Sequence, residues 1–215
     1  MTILARLGGV ALGLLCMIST AQAVQADRTR AESATAEFAT IYGKALPPIG
    51  YVEMCAREPK ECLPLGGKKT RLALTPQQWK LVSQVNVFVN NKIAPMSDEE
   101  LYGKPEYWTI PTDAGDCEDY LLLKRQYLEG LGFPTSALLI TVVLDEKMQG
   151  HAVLTITTDR GDFVLDNRRN EVLRWTDTGY TFLKRQSPDD PRQWVSLSKQ
   201  TPEHNGAVST GRAPQ

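Results

Sequence analysis

The chain has 215 residues, with 24 Lys and Arg against 25 Asp and Glu, a formal net charge of −1 and 42% hydrophobic side chains. That length suits one ordinary domain with a real core and leaves no room for a second. Basic and acidic residues are interspersed rather than collected, which excludes the charge signature of a nucleic-acid or membrane-surface binder and leaves the partner to be argued from a site.

The N-terminus, MTILARLGGVALGLLCMISTAQA, carries one Arg at position 6, an apolar and small run from Leu7 to Ile18, and then Ala21-Gln22-Ala23. This three-part pattern predicts a secretory signal peptide over 1–23, with a second cleavage site after Ala26. The run is shorter than the roughly 20 apolar residues that a transmembrane helix needs, and nothing downstream approaches that length. Membrane insertion after signal removal is therefore not expected, and the expected location is the periplasm. Cys16 follows Leu15 rather than a small residue, which argues against a lipoprotein.

Three cysteines follow the leader: Cys55, Cys62 and Cys117. An odd count in an oxidising compartment leaves one thiol outside any disulfide. Cys55 and Cys62 lie in a short Pro-containing segment spaced to close a small loop, which singles out Cys117. The plain alternative for an odd cysteine is a buried, inert hydrophobe.

A polar entry at 27–35, a Pro-Pro-Ile-Gly turn at 47–50, the cysteine loop and Gly66-Gly67-Lys68-Lys69 make the first third irregular. Thr75-Pro76-Gln77-Gln78 then predicts a helix start, with Thr75 as N-cap, Pro76 in the first turn and Gln78 closing a capping box. Apolar residues from Trp79 to Val89 carry the helix to about 93. Residues 95–115, with three prolines and two glycines, predict a long loop. A second helix begins at Cys117 and runs to Gly130.

The period then changes. Ser136 to Leu144 is β-branched and apolar, His151 to Thr157 alternates, and Asp162 to Asp166 makes a third strand after the turn at 159–161. Trp175 and Tyr180 to Leu183 suggest further strands. Helices first and an antiparallel meander after predict an α+β domain over 27–197, with the helix of Cys117 packed on the sheet. The tail at 198–215, rich in Thr, Pro, Gly, Ser and Arg, is expected to be disordered.

Cys117 at a helix N-terminus feels backbone N–H groups and the positive end of the macrodipole, which favour the thiolate. Of the two histidines, His204 lies in the tail and His151 opens a strand directly after Gly150. A hairpin turning at 159–161 brings His151 near Asp166 across the ladder. A nucleophile, a base and an orienting carboxylate follow: Cys117, His151 and Asp166. Taken singly, His151 and Asp166 also fit a structural histidine and a turn former.

Asp116, Glu118 and Asp119 crowd three carboxylates around the thiol, which opposes its ionisation. A hard cation with oxygen ligands, Ca²⁺ before any thiolate-seeking metal, is the natural offset. The rival reading makes Asp116 a helix cap and the other two first-turn acids that complement the dipole.

The strings Tyr107-Trp108-Thr-Ile-Pro111, Gly115-Asp-Cys-Glu-Asp-Tyr120, Gly130-Leu-Gly-Phe-Pro134, Gly150-His151-Ala-Val-Leu154 and Phe163-Val-Leu-Asp166-Asn167, with Lys124, resemble the bacterial transglutaminase-like cysteine proteinases, and within them the LapG-type periplasmic proteases. The resemblance spans about 45 to 185, the Cys55 to Cys62 loop included. It implies a papain-like, transglutaminase-like core, a triad of Cys117, His151 and Asp166, and Ca²⁺ held with the help of Asp116 and Glu118. It further implies cleavage of a large surface adhesin near its N-terminus, at a pair of alanines, and control by an inner-membrane cyclic-di-GMP receptor. Aromatic residues line clefts of this type, which makes Trp108 a candidate there, although its position fits core or rim. Two rivals keep the fold: an acyltransferase or amidase with the same triad, and an inactive binding module.

Overall fold

A computed structural model of the chain describes residues 37–63 and 71–199. The leader at 1–23, Gly66 to Lys69 and the tail beyond Lys199 lie outside the described residues.

In chain order the elements are β1 (Gly43–Ala45), α1 (Ile49–Arg57), α2 (Pro76–Lys92), β2 (Ala94–Pro95), α3 (Asp98–Tyr102), β3 (Ala114–Gly115), α4 (Cys117–Gly130), β4 (Leu138–Leu144), β5 (Gly150–Thr158), β6 (Gly161–Asp166), β7 (Arg169–Arg174), β8 (Thr181–Gln186) and β9 (Trp194–Ser196). Seven strands form one sheet in the order β1-β9-β8-β4-β5-β6-β7, every neighbouring pair antiparallel. Trp175 falls in a short 3₁₀ turn at Trp175–Asp177 instead of a strand, and Ser136 in another at Thr135–Ala137. The expected 95–115 loop contains α3 and is closed by the parallel pair β2 and β3.

The helix starts follow from local chemistry. The Thr75 hydroxyl accepts the N–H of Gln78 at 3.2 Å, and the Gln78 side chain accepts the N–H of Thr75 at 3.0 Å. With Pro76 in the first turn, three of the otherwise unsatisfied terminal groups are dealt with before the helix touches anything else. Val82, Val85 and Val89 then bury one face of α2.

Central strands β5 and β6 are buried almost throughout, so the apolar alternation of His151 to Thr157 does not mark a half-wet strand. Both faces of the sheet are covered. On one side Ala152, Leu154, Ile156 and Leu165 share a core with Leu121, Leu122 and Leu128 of α4. On the other, Val143, Val153, Val164 and Phe182 pack with Ala39 and Leu197, and Trp175 and Tyr180 close over them. Each such buried aliphatic contributes about 1.5–3 kcal/mol. The main core therefore fixes α4 against β5, and with it the position of residue 117.

Two polar clamps from α2 hold the far end of the hairpin. Asn86 donates to the carbonyls of Arg169 and Asn170, both at 3.0 Å, and Asn90 donates to the Asp166 carbonyl at 3.0 Å. The turn that carries Asp166 is thereby tied to a helix as well as to its own strand.

Candidate active site

Cys117 is the first residue of α4 and 7% exposed. The backbone N–H of Ala152, the residue after His151 in β5, acts on the thiol in favour of its ionised form. The thiol itself lies 3.1 Å from Glu118 Oε2. Burial, then the charges of Glu118 and Asp116 and the Glu118 hydrogen bond, push the thiol well above its ordinary range, against the pull of the Ala152 N–H. A helix terminus supplies about half a charge. Burial of the thiol and the acidic groups beside it outweigh it.

His151 is 1% exposed, and its Nε2 lies 2.9 Å from Asp166 Oδ1. The other ring nitrogen, Nδ1, is buried and has no hydrogen-bond partner among the described residues. In the β5/β6 register, Leu154 faces Leu165, which puts Asp166 diagonally across from His151 rather than directly opposite. Asp166 also accepts the Arg168 N–H at 3.0 Å and the Tyr180 hydroxyl at 2.6 Å. Burial alone would raise this carboxyl, but the His151 hydrogen bond and charge, then Tyr180 and Arg168, hold it below the usual carboxylate range. An ionised Asp166 makes Nε2 the proton-bearing nitrogen and leaves Nδ1 with its lone pair.

The acidic residues are not arranged as the capping reading of the sequence has them. Asp116 occupies the N-cap position of α4, yet its side chain makes no capping hydrogen bond, and Glu118 and Asp119 are fully buried instead of solvated. Asp116 and Glu118 meet a third carboxylate, Asp98 from the first turn of α3, and one oxygen from each of the three lies within 4.8 Å of the others. Asp98 Oδ1, both oxygens of Asp116 and Glu118 Oε1 are buried with no hydrogen-bond partner among the described residues. Burial, then the mutual charge of Asp98, Glu106 and neighbouring acids, raises Asp116 to about 6 and Glu118 well above the ordinary range. Asp119 lies outside the trio. Its Oδ1 accepts the Thr109 N–H at 2.9 Å, and burial lifts its carboxyl to about 8.

The oxygens of three buried carboxylates form a donor set that could hold a hard cation. Asp98 was not visible as a member from the sequence. It follows Ser97 and precedes Glu99 and Glu100 in a capping box, a setting that usually means solvated first-turn acids.

The wall of this site is anchored by α1. Arg57 Nη2 donates to the Trp108 carbonyl at 2.7 Å and its guanidinium stacks on Tyr107 at 4.0 Å, while the Tyr107 N–H binds Asp98 Oδ2. Trp108 is fully buried and belongs to the core rather than a cleft rim. A methyl group on Gly50 would sit 2.4 Å from the Trp108 ring, so only glycine fits there. Cys55 of α1 is disulfide-bonded to Cys62.

The model of the bacterial transglutaminase-like cysteine proteinases matches residues 41–202. The chain belongs to this family. The proteinase thus has the α+β, transglutaminase-like core anticipated above, with the helix of Cys117 on an antiparallel sheet. It is also similar to solved structures of LapG from Legionella pneumophila. The calcium-bound form is 21% identical with a TM-score of 0.48, over 64% of this chain and 78% of that one. The EGTA-treated form is 20% identical with a TM-score of 0.46, over 70% and 87%. A third LapG structure is 20% identical with a TM-score of 0.47, over 72% and 91%. A search of curated proteins finds no match. Among the described residues, no helix of the proteinase is long and apolar enough to cross a membrane.

Proposed function

We propose that this cysteine proteinase is a periplasmic, Ca²⁺-dependent endopeptidase using a triad of Cys117, His151 and Asp166. The observation that carries the reading is the buried His151–Asp166 pair at 2.9 Å, on a strand whose next residue, Ala152, shares the core with Cys117. Cys117 attacks the scissile carbonyl, and His151 Nδ1 takes the thiol proton and returns it to the leaving amine. Asp166 holds the imidazole in the required tautomer and supports its charged form. The backbone N–H of Cys117, at the start of α4, faces the developing oxyanion together with a neighbouring donor. Water then resolves the acyl-enzyme.

Asp98, Asp116 and Glu118 would hold the Ca²⁺, whose positive charge balances the carboxylates around the thiol. The N-terminal leader supports the periplasmic location. The kinship set out above supports a large surface adhesin as substrate, biofilm release as the consequence and an inner-membrane cyclic-di-GMP receptor as regulator. Cys117→Ala is expected to abolish cleavage of such an adhesin's N-terminal fragment, with the circular dichroism of a folded protein retained. Continued hydrolysis by that variant would overturn the assignment, and amine-linked products from the parent protein would make it an acyltransferase.

A further inference from the structure

Tyr180 stands just ahead of β8, and its side chain touches both members of the His151–Asp166 pair. Its hydroxyl donates to Asp166 Oδ2 at 2.6 Å. Its ring meets the His151 imidazole edge-on, with centroids 5.6 Å apart and planes at 83°. Asp166 is 1% exposed, and its two oxygens have separate duties: Oδ1 serves His151 Nε2 at 2.9 Å and the Arg168 N–H at 3.0 Å, while Oδ2 serves Tyr180. A carboxylate has one soft torsion. A short bond to Oδ2 fixes that torsion and so keeps Oδ1 turned toward the imidazole.

The phenol is itself held from behind. Arg169 Nη2 donates to the Tyr180 oxygen at 3.2 Å and the guanidinium lies over the ring at 5.3 Å, while Arg169 Nε is 3.6 Å from Asp166 Oδ2. The Tyr180 backbone is fixed by its N–H bond to Thr178 Oγ1 at 3.2 Å, one residue after Gly179, whose φ of +77° favours glycine. An arginine thus backs a tyrosine, which fixes an aspartate, which orients a histidine.

We propose that Tyr180 is a positioning residue of the active site, setting the orientation of both Asp166 and His151 without touching substrate. The proposal rests on the triad reading above. Phenylalanine at 180 keeps the edge contact but removes the donor, so Asp166 returns more negative charge to the imidazole and His151 binds its proton more tightly. The other charged groups acting on Asp166 are Arg169, the buried Lys124 of α4 and Arg168, and they are the same in both proteins.

The test is an NMR titration of the His151 imidazole in the purified protein with CaCl₂ present and His204 replaced by Gln, comparing the parent, Tyr180→Phe and Asp166→Asn. Tyr180→Phe should raise the His151 midpoint by at least about 0.3 units, with the circular dichroism of a folded protein retained. 3-Fluorotyrosine at 180, a stronger donor on the same ring, should lower it, which keeps the test decisive if the phenylalanine variant folds poorly. An unmoved midpoint in both, while Asp166→Asn shifts it, would overturn the role of Tyr180 and leave the triad standing. No response to Asp166→Asn would sink the triad reading and this one with it.

Discussion

Asp166 and Asp116 are chemically the same side chain, buried to nearly the same depth at 1% and 4% exposure, and they end in opposite states. Asp166 receives a histidine, a tyrosine and a backbone N–H, and is held below the usual carboxylate range. Asp116 receives no hydrogen bond at either oxygen among the described residues, faces two more carboxylates, and is lifted to about 6. Burial penalises both charges, and the supply of donors decides the outcome. One aspartate is complete within the protein, and the other has the environment of a ligand for a cation.

The strongest way to break the contrast is at the satisfied end. Asp166→Asn should cut kcat/KM on an adhesin fragment by about three to four orders of magnitude while leaving Ca²⁺ affinity within about twofold, because Asp166 is not among the three clustered carboxylates. A large loss of Ca²⁺ binding in that variant would mean that the two aspartates are not separate devices. Next come Asp98→Asn and Asp116→Asn, each expected to weaken Ca²⁺ binding by about tenfold or more in calorimetry, since ligand charge sets affinity. If Asp98→Asn binds Ca²⁺ like the parent, the three-carboxylate site is wrong.

A smaller effect separates the two ends by pH. Asp116 and Asp119 have folded values of about 6 and about 8, raised from 3.8. The folded chain therefore holds those protons more tightly, and their stabilising contribution, full in acid, is lost as pH rises from about 4 to about 8. Asp166 runs the other way: its contribution is present above the ordinary carboxylate range and is lost only in strong acid. Melting temperature in chelator should fall between pH 4 and 8, and saturating Ca²⁺ should flatten the fall; parallel curves with and without Ca²⁺ would contradict the scheme. The smallest change is expected from Asp119→Asn. Its amide oxygen still accepts the Thr109 N–H, so Ca²⁺ affinity should move by less than about threefold.

Much of this was legible because it is local. The capping box at Thr75 and Gln78, the helix from Cys117 and the hairpin pairing His151 with Asp166 all follow from spacing within about 15 residues. What could not be read is what arrives from elsewhere. Asp98 looks like any first-turn acid, and only the fold carries it past Pro105 and Pro111 to the N-terminus of α4. Tyr180 looked like one aromatic in one strand, because an antiparallel sheet with long-range neighbours hides its contacts from sequence period. Asp116 shows the reverse failure. Its position was right for a cap, but its side chain makes no capping hydrogen bond and lies with the carboxylates of Asp98 and Glu118 instead.

The thiol touches the acidic cluster at Glu118 and is the nucleophile of the proposed triad, so its reactivity tests the whole account. The measurement is the rate at which iodoacetamide alkylates Cys117 across pH 5 to 9, in chelator and in saturating Ca²⁺, against a model thiol. The account predicts a sluggish thiol in chelator, held protonated by burial and by Glu118 and Asp116, and a rate above the model thiol at neutral pH once Ca²⁺ is bound. Reactivity equal to the model thiol and indifferent to Ca²⁺ would contradict it.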